Sequence, residues 1–228
     1  MKVCPYCREA LSRKDAEKDH LPPQGIFPDL KPQNLITVLC CPGCHDLLSD
    51  GDEPLAVMVG TGLSRTDKVK DLTTRANRSL KKGSWFRDSL REAALQAEPR
   101  LGMLNGKLDV VYSVKLSGDG VSPAINTSLV RIAKGLIFKR NPEWDSRNYR
   151  FRVCQFDETN PWKSVRIFAE LGTLQEEVIK DVEVFVARWG WAIDKPEYGV
   201  FVMTFYGGLH FAIFMSPNDQ PEWDQPSS

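Results

Sequence analysis

Two C-x-x-C pairs constrain this chain more than anything else in it: Cys4 with Cys7, and Cys41 with Cys44, the second pair beginning after 33 intervening residues. Two residues between cysteines form a tight knuckle that turns both sulfurs toward one ion, and two knuckles complete a tetrahedral thiolate site. The spacing predicts structural Zn²⁺ on Cys4, Cys7, Cys41 and Cys44, with further structure inserted between the knuckles. Six cysteines are few for 228 residues, and in a reducing compartment paired C-x-x-C units signal metal rather than disulfides. Cys41 keeps the two-residue spacing and Cys40 does not. Cys154, in a strand-like run, reads as a buried thiol.

Composition narrows the class. With 42% hydrophobic and 26% charged residues, the chain is neither disordered, collagen-like nor a coiled coil. Its longest apolar runs, Gly199 to Tyr206 and Leu209 to Met215, fall short of the ~20 residues that cross a bilayer. The opening Met1-Lys2-Val3-Cys4-Pro5 has no signal-peptide core. A cytoplasmic protein without membrane contact is expected. Net charge is zero, yet residues 61–100 hold 10 basic and 5 acidic side chains, and residues 151–228 hold 6 and 12. An anionic polymer responds to local potential, so the centre of the chain is the expected nucleic-acid contact. The acidic C-terminal part suggests a partner protein or self-association.

The segment between the knuckles carries the informative residues. It reads Asp19-His20-Leu21-Pro22-Pro23-Gln24-Gly25-Ile26-Phe27-Pro28, then Gln33-Asn34-Leu35-Ile36-Thr37-Val38-Leu39, then Cys41-Pro42-Gly43-Cys44-His45. β-branched and apolar residues predict a strand over Leu35 to Leu39, after a loop rich in Pro and Gly. His45-Asp46-Leu47-Leu48 begins a helix that breaks at Asp50-Gly51. The expected order is strand, loop, strand, helix, with zinc tying the outer ends together.

These residues resemble the HNH endonucleases, whose ββα-metal core often sits inside a zinc-bound treble clef. His20, Asn34 and His45 match the His, Asn and final His or Asn of the name, in order. Asp19 before the first His and Asn34-Leu35 leading into C-x-x-C-His agree. The Asp-His-x-Pro-Pro-x-Gly-x-Phe-Pro segment is similar to one bacterial subgroup, which commonly has Asn where this chain has His45. The resemblance covers residues 4–45, with fainter likeness at Lys134-Gly135-Leu136 and Phe205-Tyr206-Gly207. It implies hydrolysis of phosphodiester bonds in DNA. His20 is then the general base, Asp19 and His45 hold a divalent cation, and Asn34 braces the loop that aims the imidazole. The cation is Mg²⁺ by its open, oxygen-rich coordination, with Mn²⁺ or Ni²⁺ also suited to an imidazole ligand. Neighbouring strand residues point to opposite faces, so Asp19 and His20 reach one site only if the chain leaves the pleat there, as Pro22-Pro23 suggests. The alternative is a non-catalytic zinc-stabilised module for nucleic-acid binding or protein interaction.

Beyond residue 60, Gly60-Thr61-Gly62 reads as a hinge. Ser64 with Asp67 forms a capping box for a helix that Gly83 stops. Lys68, Lys70, Arg75, Arg78, Lys81 and Lys82 lie on its outward side, as phosphate contacts. A second helix is expected over Trp85 to Ala97. A third starts at Ser122-Pro123 and buries Ile125, Leu129, Ile132, Leu136 and Ile137. Strands are expected over Asp109 to Lys115, Tyr149 to Phe156 and Asp181 to Ile193. Gly199 to Tyr206 and Leu209 to Met215 form a hairpin with Gly207-Gly208 as a two-residue turn. His210 reads as a core or surface residue of that hairpin. The fold class is α+β: a zinc-bound HNH unit over 1–60, a basic helical linker over 61–99, an α+β domain with an antiparallel sheet over 100–216, and a loose tail over 217–228.

Overall fold

The computed structural model describes residues 2–12, 14–27, 32–62, 98–104, 107–113, 121–156, 172–179 and 184–219, with single positions 74, 87, 88, 91 and 95. The first hairpin follows from alternation. Strand β1 (Glu17–Leu21) pairs antiparallel with β2 (Ile36–Cys40), setting Glu17 opposite Cys40 and Leu21 opposite Ile36. Ile36, Val38 and Cys40 are buried on one face of β2, while Asp19 and Leu21 are buried on β1. After Leu21 the chain turns through a cis peptide at Pro22 into a 3-10 turn, Gln24–Ile26. Helix α1 (Pro42–Ser49) carries Pro in its first turn, where no backbone donor is needed. It ends at Asp50-Gly51, as expected. A side chain at Gly51 would collide with the Ala124 carbonyl, so only glycine fits this break.

Helix α2 (Asp52–Gly62) begins with Asp52 and Glu53 against the positive end of its dipole. Gly60-Thr61-Gly62 is not a hinge but the last turn of α2. Buried Leu55, Val57 and Val59 tie the helix to its neighbours, and such packing outweighs the weak helix preference of glycine. Helix α3 (Val121–Arg140) buries Ile125, Leu129, Ile132, Leu136 and Ile137, as their spacing predicts. It packs on α2, α1 and β1. The expected linker over 61–99 lies mostly outside the described residues: 61 and 62 end α2, 98 and 99 begin the next strand, and between them 74, 87, 88, 91 and 95 are described, in helical conformation.

β3 (Glu98–Leu104) and β4 (Lys107–Ser113) form a two-stranded ladder. The main sheet holds β5 (Tyr149–Phe156), β6 (Gln175–Ile179), β7 (Phe185–Trp191), β8 (Gly199–Phe205) and β9 (Leu209–Pro217), in the order β5-β9-β8-β7-β6. Each adjacent pair is antiparallel. β8 is buried along its whole length, which suits a central strand. The hairpin between β8 and β9 corrects the expected two-residue turn. Phe205 pairs with Leu209, so Tyr206, Gly207 and Gly208 form a three-residue loop, with φ of 50° at Tyr206 and 67° at Gly207. Strand β9 runs to Pro217, opposite Tyr149, so the tail begins later than expected.

One cluster of buried apolar side chains runs from Cys4, Leu21 and Leu55 through Leu129 and Ile132 to Phe201 and Phe211. A side chain at Gly135 would collide with Leu21 Cδ1, so glycine sets how closely α3 approaches β1. Among the described residues no helix is long and apolar enough to cross a membrane.

Candidate metal centre and the residues around it

The first knuckle is closed by its own backbone. Arg8 N donates to Cys4 O at 2.9 Å and Cys4 N to Glu9 O at 2.8 Å. Arg8 takes a left-handed φ of 65° at the reversal, costing about 1–3 kcal/mol in a non-glycine residue. Its guanidinium stays engaged: Nη1 donates to Pro142 O at 2.8 Å, and the group lies 5.3 Å from the centroid of the Phe138 ring. The second knuckle is the start of α1, with Cys41 at the cap, Cys44 in the first turn and His45 N donating to Cys41 O at 3.0 Å.

The four sulfurs of Cys4, Cys7, Cys41 and Cys44 lie within 4.8 Å of one another. A tetrahedron with Zn–S bonds of about 2.3 Å has edges of about 3.8 Å, and Cys7 Sγ is 3.7 Å from Cys41 Sγ. The electrostatics agree. Burial first, then hydrogen bonds to neighbouring thiols, pushes Cys7 up to about 11. Burial and Cys41 push Cys44 higher still. Burial also acts upward on Cys41, but the Cys44 backbone N–H and the surrounding thiols outweigh it and hold Cys41 below the usual thiol range. Four thiols so placed resist joint ionisation unless a dication joins them, so the donor set fits Zn²⁺. Cys40 is fully buried, with its Sγ 3.9 Å from Glu17 O. Burial and then the Asp19 charge push it up to about 12. It stands apart from the cluster.

The four residues that the resemblance singles out, Asp19, His20, Asn34 and His45, are spread over both faces of β1 and its neighbouring segments. Asp19 is 3% exposed. The Tyr6 hydroxyl donates to its Oδ2, and Arg131 Nε lies 3.5 Å from the same oxygen. Burial, then the Asp19 charge, raises the Tyr6 phenol well above its ordinary value. Arg131, only 1% exposed, donates from Nη1 to Leu48 O at 2.9 Å and from Nη2 to Asp52 Oδ1 at 2.6 Å. The Ser128 hydroxyl donates to the same Asp52 oxygen at 2.8 Å. Burial raises Asp52 above the usual carboxylate range, although Arg131 pulls the other way.

His45, one residue past Cys44, places Nδ1 3.0 Å from Glu17 Oε2 and 3.8 Å from Asp46 Oδ1. Glu17 and Asp19 share a face of β1, two residues apart; half-buried His20 belongs to the other face. His20 Nε2 lies 2.5 Å from Gln24 Nε2. Asn34 Nδ2 donates to Val178 O of β6 at 3.1 Å. The chain does not leave the pleat at Asp19-His20: the ladder holds through the Leu21–Ile36 pair, and only Pro22, which has no N–H to offer, ends it. Among the described residues, no hydrogen bond or ion pair joins Asp19 to His45. Glu17, His45 and Asp46 instead form a second group whose ligand atoms lie within 4.8 Å. Lys68, Lys70, Arg75, Arg78, Lys81 and Lys82 lie outside the described residues.

Sequence reasoning overlooked Glu17, Gln24, Tyr6 and Arg131. Strand parity with Asp19 could have flagged Glu17, and the Pro22-Pro23 turn could have flagged Gln24 as doubling back on His20. Nothing in the sequence links Arg131 to Asp19 across 111 positions.

Compared with protein families, curated proteins and solved structures, the chain matches none.

Proposed function

We propose that this chain is a zinc-stabilised, metal-dependent endonuclease of the HNH type that hydrolyses phosphodiester bonds in DNA. The observation that carries the reading is the coupling of the sulfur centre to β1. Cys44 is followed directly by His45, and His45 Nδ1 meets Glu17 on the face that also bears Asp19. The knuckles, the hairpin and α1 then form the treble clef of that class. In this reading Zn²⁺ on the four cysteines is structural, and Asp19 and His45 would hold a divalent cation, Mg²⁺ or one such as Mn²⁺ or Ni²⁺. Among the described residues both contacts of Asp19 fall on Oδ2, so Oδ1 is the oxygen that would coordinate the cation. Tyr6 and Arg131 then orient the carboxylate from behind.

A phosphodiester carries a negative charge that repels hydroxide, so hydrolysis needs both a base and a counter-charge. The cation, when bound, would supply the counter-charge on the scissile phosphate and the leaving oxygen. His20 would take the proton from the attacking water; because β1 keeps its pleat and sets Asp19 and His20 on opposite faces, the scissile phosphate would have to sit at the open edge of β1, reached from both faces. Asn34 ties the loop before β2 to β6 through Val178 O. The basic segment from Lys68 to Lys82 supplies phosphate contacts along the DNA.

A second reading is a non-catalytic zinc-stabilised module that binds nucleic acid or protein, and the buried Asp19–Arg131 contact favours it. There Asp19 serves only to neutralise a guanidinium. Plasmid cleavage by the zinc-loaded full chain with Mg²⁺, Mn²⁺ or Ni²⁺ separates the two. Nicking or cutting abolished by His20→Ala upholds the nuclease reading. Intact plasmid with every cation, or equal cutting by His20→Ala, overturns it.

A further inference from the structure

The His20 imidazole is held by a residue that the HNH motif leaves open. Gln24 follows four positions later, in the 3-10 turn after Pro22-Pro23, and its side-chain amide reaches back to His20 Nε2 at 2.5 Å. The oxygen and nitrogen of a carboxamide exchange places on rotation by 180°. If the NH₂ faces Nε2, the ring carries its proton on Nδ1. If the oxygen faces it, Nε2 carries the proton and Nδ1 keeps a lone pair. Only the oxygen-facing arrangement leaves the ring a lone pair that can take a proton, since an NH₂ at Nε2 would occupy one ring nitrogen and place the proton on the other.

The turn that carries Gln24 is itself held. Ile26 N donates to Pro23 O at 3.2 Å and Phe27 N to Gln24 O at 3.1 Å, while Ile26 and Phe27 are buried. Tyr206, at the tip of the β8–β9 hairpin, donates its hydroxyl to Ile26 O at 2.8 Å. It does so from a left-handed φ of 50°, and its own N–H donates to Val184 O at 2.8 Å. A bulky residue in that conformation needs surrounding contacts to hold it. The sheet thus reaches across to the turn beside His20.

We infer that Gln24 is a positioning residue that fixes His20 as the Nε2–H tautomer through its carboxamide oxygen, with Nδ1 as the basic nitrogen, and that Tyr206 fixes the turn that makes this possible. This assignment rests on the nuclease reading, and the tautomer is measured independently of cleavage. Long-range ¹H–¹⁵N correlation on the zinc-loaded full chain reads it directly, because only three histidines need assigning. Wild type is expected to show the Nε2–H form at His20. Gln24→Ala gives a mixture of tautomers, Gln24→Glu restores the wild-type pattern through its carboxylate oxygen, and Tyr206→Phe gives an intermediate mixture. In plasmid cleavage Gln24→Ala lowers kcat on the order of 10-fold with KM unchanged, as for other residues that orient a working side chain. A wild-type His20 protonated on Nδ1, or one whose tautomer is untouched by Gln24→Ala, overturns the assignment. The expected tautomers with no cleavage by wild type would overturn the nuclease reading and uphold Gln24.

Discussion

The region before residue 62 and the five-stranded sheet solve the same problem by different means. The first has strands of five residues and an eight-residue α1 with no buried side chain. Elements so short bury little apolar surface by themselves; Leu21, Ile26, Ile36 and Val38 join the core shared with the sheet, and a cluster of four cysteines fit for a metal and an ionic network around Arg131 supplement it. The sheet buries every residue of β8 and stacks Trp189 on Phe201 with centroids 5.2 Å apart, so apolar packing carries it. The lesson is that chemistry-bearing groups gather where sulfur and charge supplement apolar packing. Helix α3 joins the two regimes, offering Arg131 to one and Leu129, Ile132 and Leu136 to the shared core.

Metal removal should produce the largest contrast, because structural zinc sites contribute on the order of 10–16 kcal/mol of binding free energy to folding. Chelation of the full chain is expected to abolish hydrogen-exchange protection in β1, β2 and α1 while β7, β8 and β9 keep theirs. Simultaneous loss in both regions would show that the division is false. Next comes Arg131→Met, which leaves buried Asp19 and half-buried Asp52 without their shared cation. It should cost about 3–5 kcal/mol in denaturant melts, and a cost under ~1 kcal/mol would mean that the network is incidental.

Gly135→Ala probes the seam between the regions. The added methyl meets Leu21 Cδ1 and is expected to destabilise by about 1–3 kcal/mol, with β1 losing protection before β8. The smallest effect belongs to the buried histidine of the sheet. His210 is 3% exposed, hydrogen-bonded through Nδ1 to Thr204 Oγ1 at 3.1 Å, and burial lowers its pKa. The unfolded chain then binds a proton first, so sheet stability is full above about pH 6.5 and declines as pH falls from there toward the folded value. The melting temperature of His210→Gln should be flatter between pH 7.5 and 5.5 than that of wild type; parallel curves would assign the acid sensitivity elsewhere.

Legibility in the sequence followed the range of the forces involved. The C-x-x-C knuckles are local, and the sulfurs converge as spacing demands. The burial of α3 and the bounds of β5 follow from periodicity. β3 and β6 escaped because Pro99 interrupts one and Gln175-Glu176-Glu177 gives the other a polar start, so neither alternates like a half-buried strand. Gly60-Thr61-Gly62 misled because local preference there yields to the packing of Leu55, Val57 and Val59. The site was half legible. His20, Asp19 and His45 are named by their motif, yet the partners that decide what each can do come from elsewhere. Tyr6, Arg131 and Glu17 reach them through the fold, and the Asn34 amide turns to Val178.

Anomalous scattering from crystals of the zinc-loaded chain soaked in Mn²⁺ tests the central claim most directly. A manganese peak is expected within about 2.0–2.2 Å of both Asp19 and His45, the coordination distance of small divalent ions, and distinct from zinc on the four cysteines. Manganese bound only by Glu17, His45 and Asp46, or no peak beside Asp19, would contradict it.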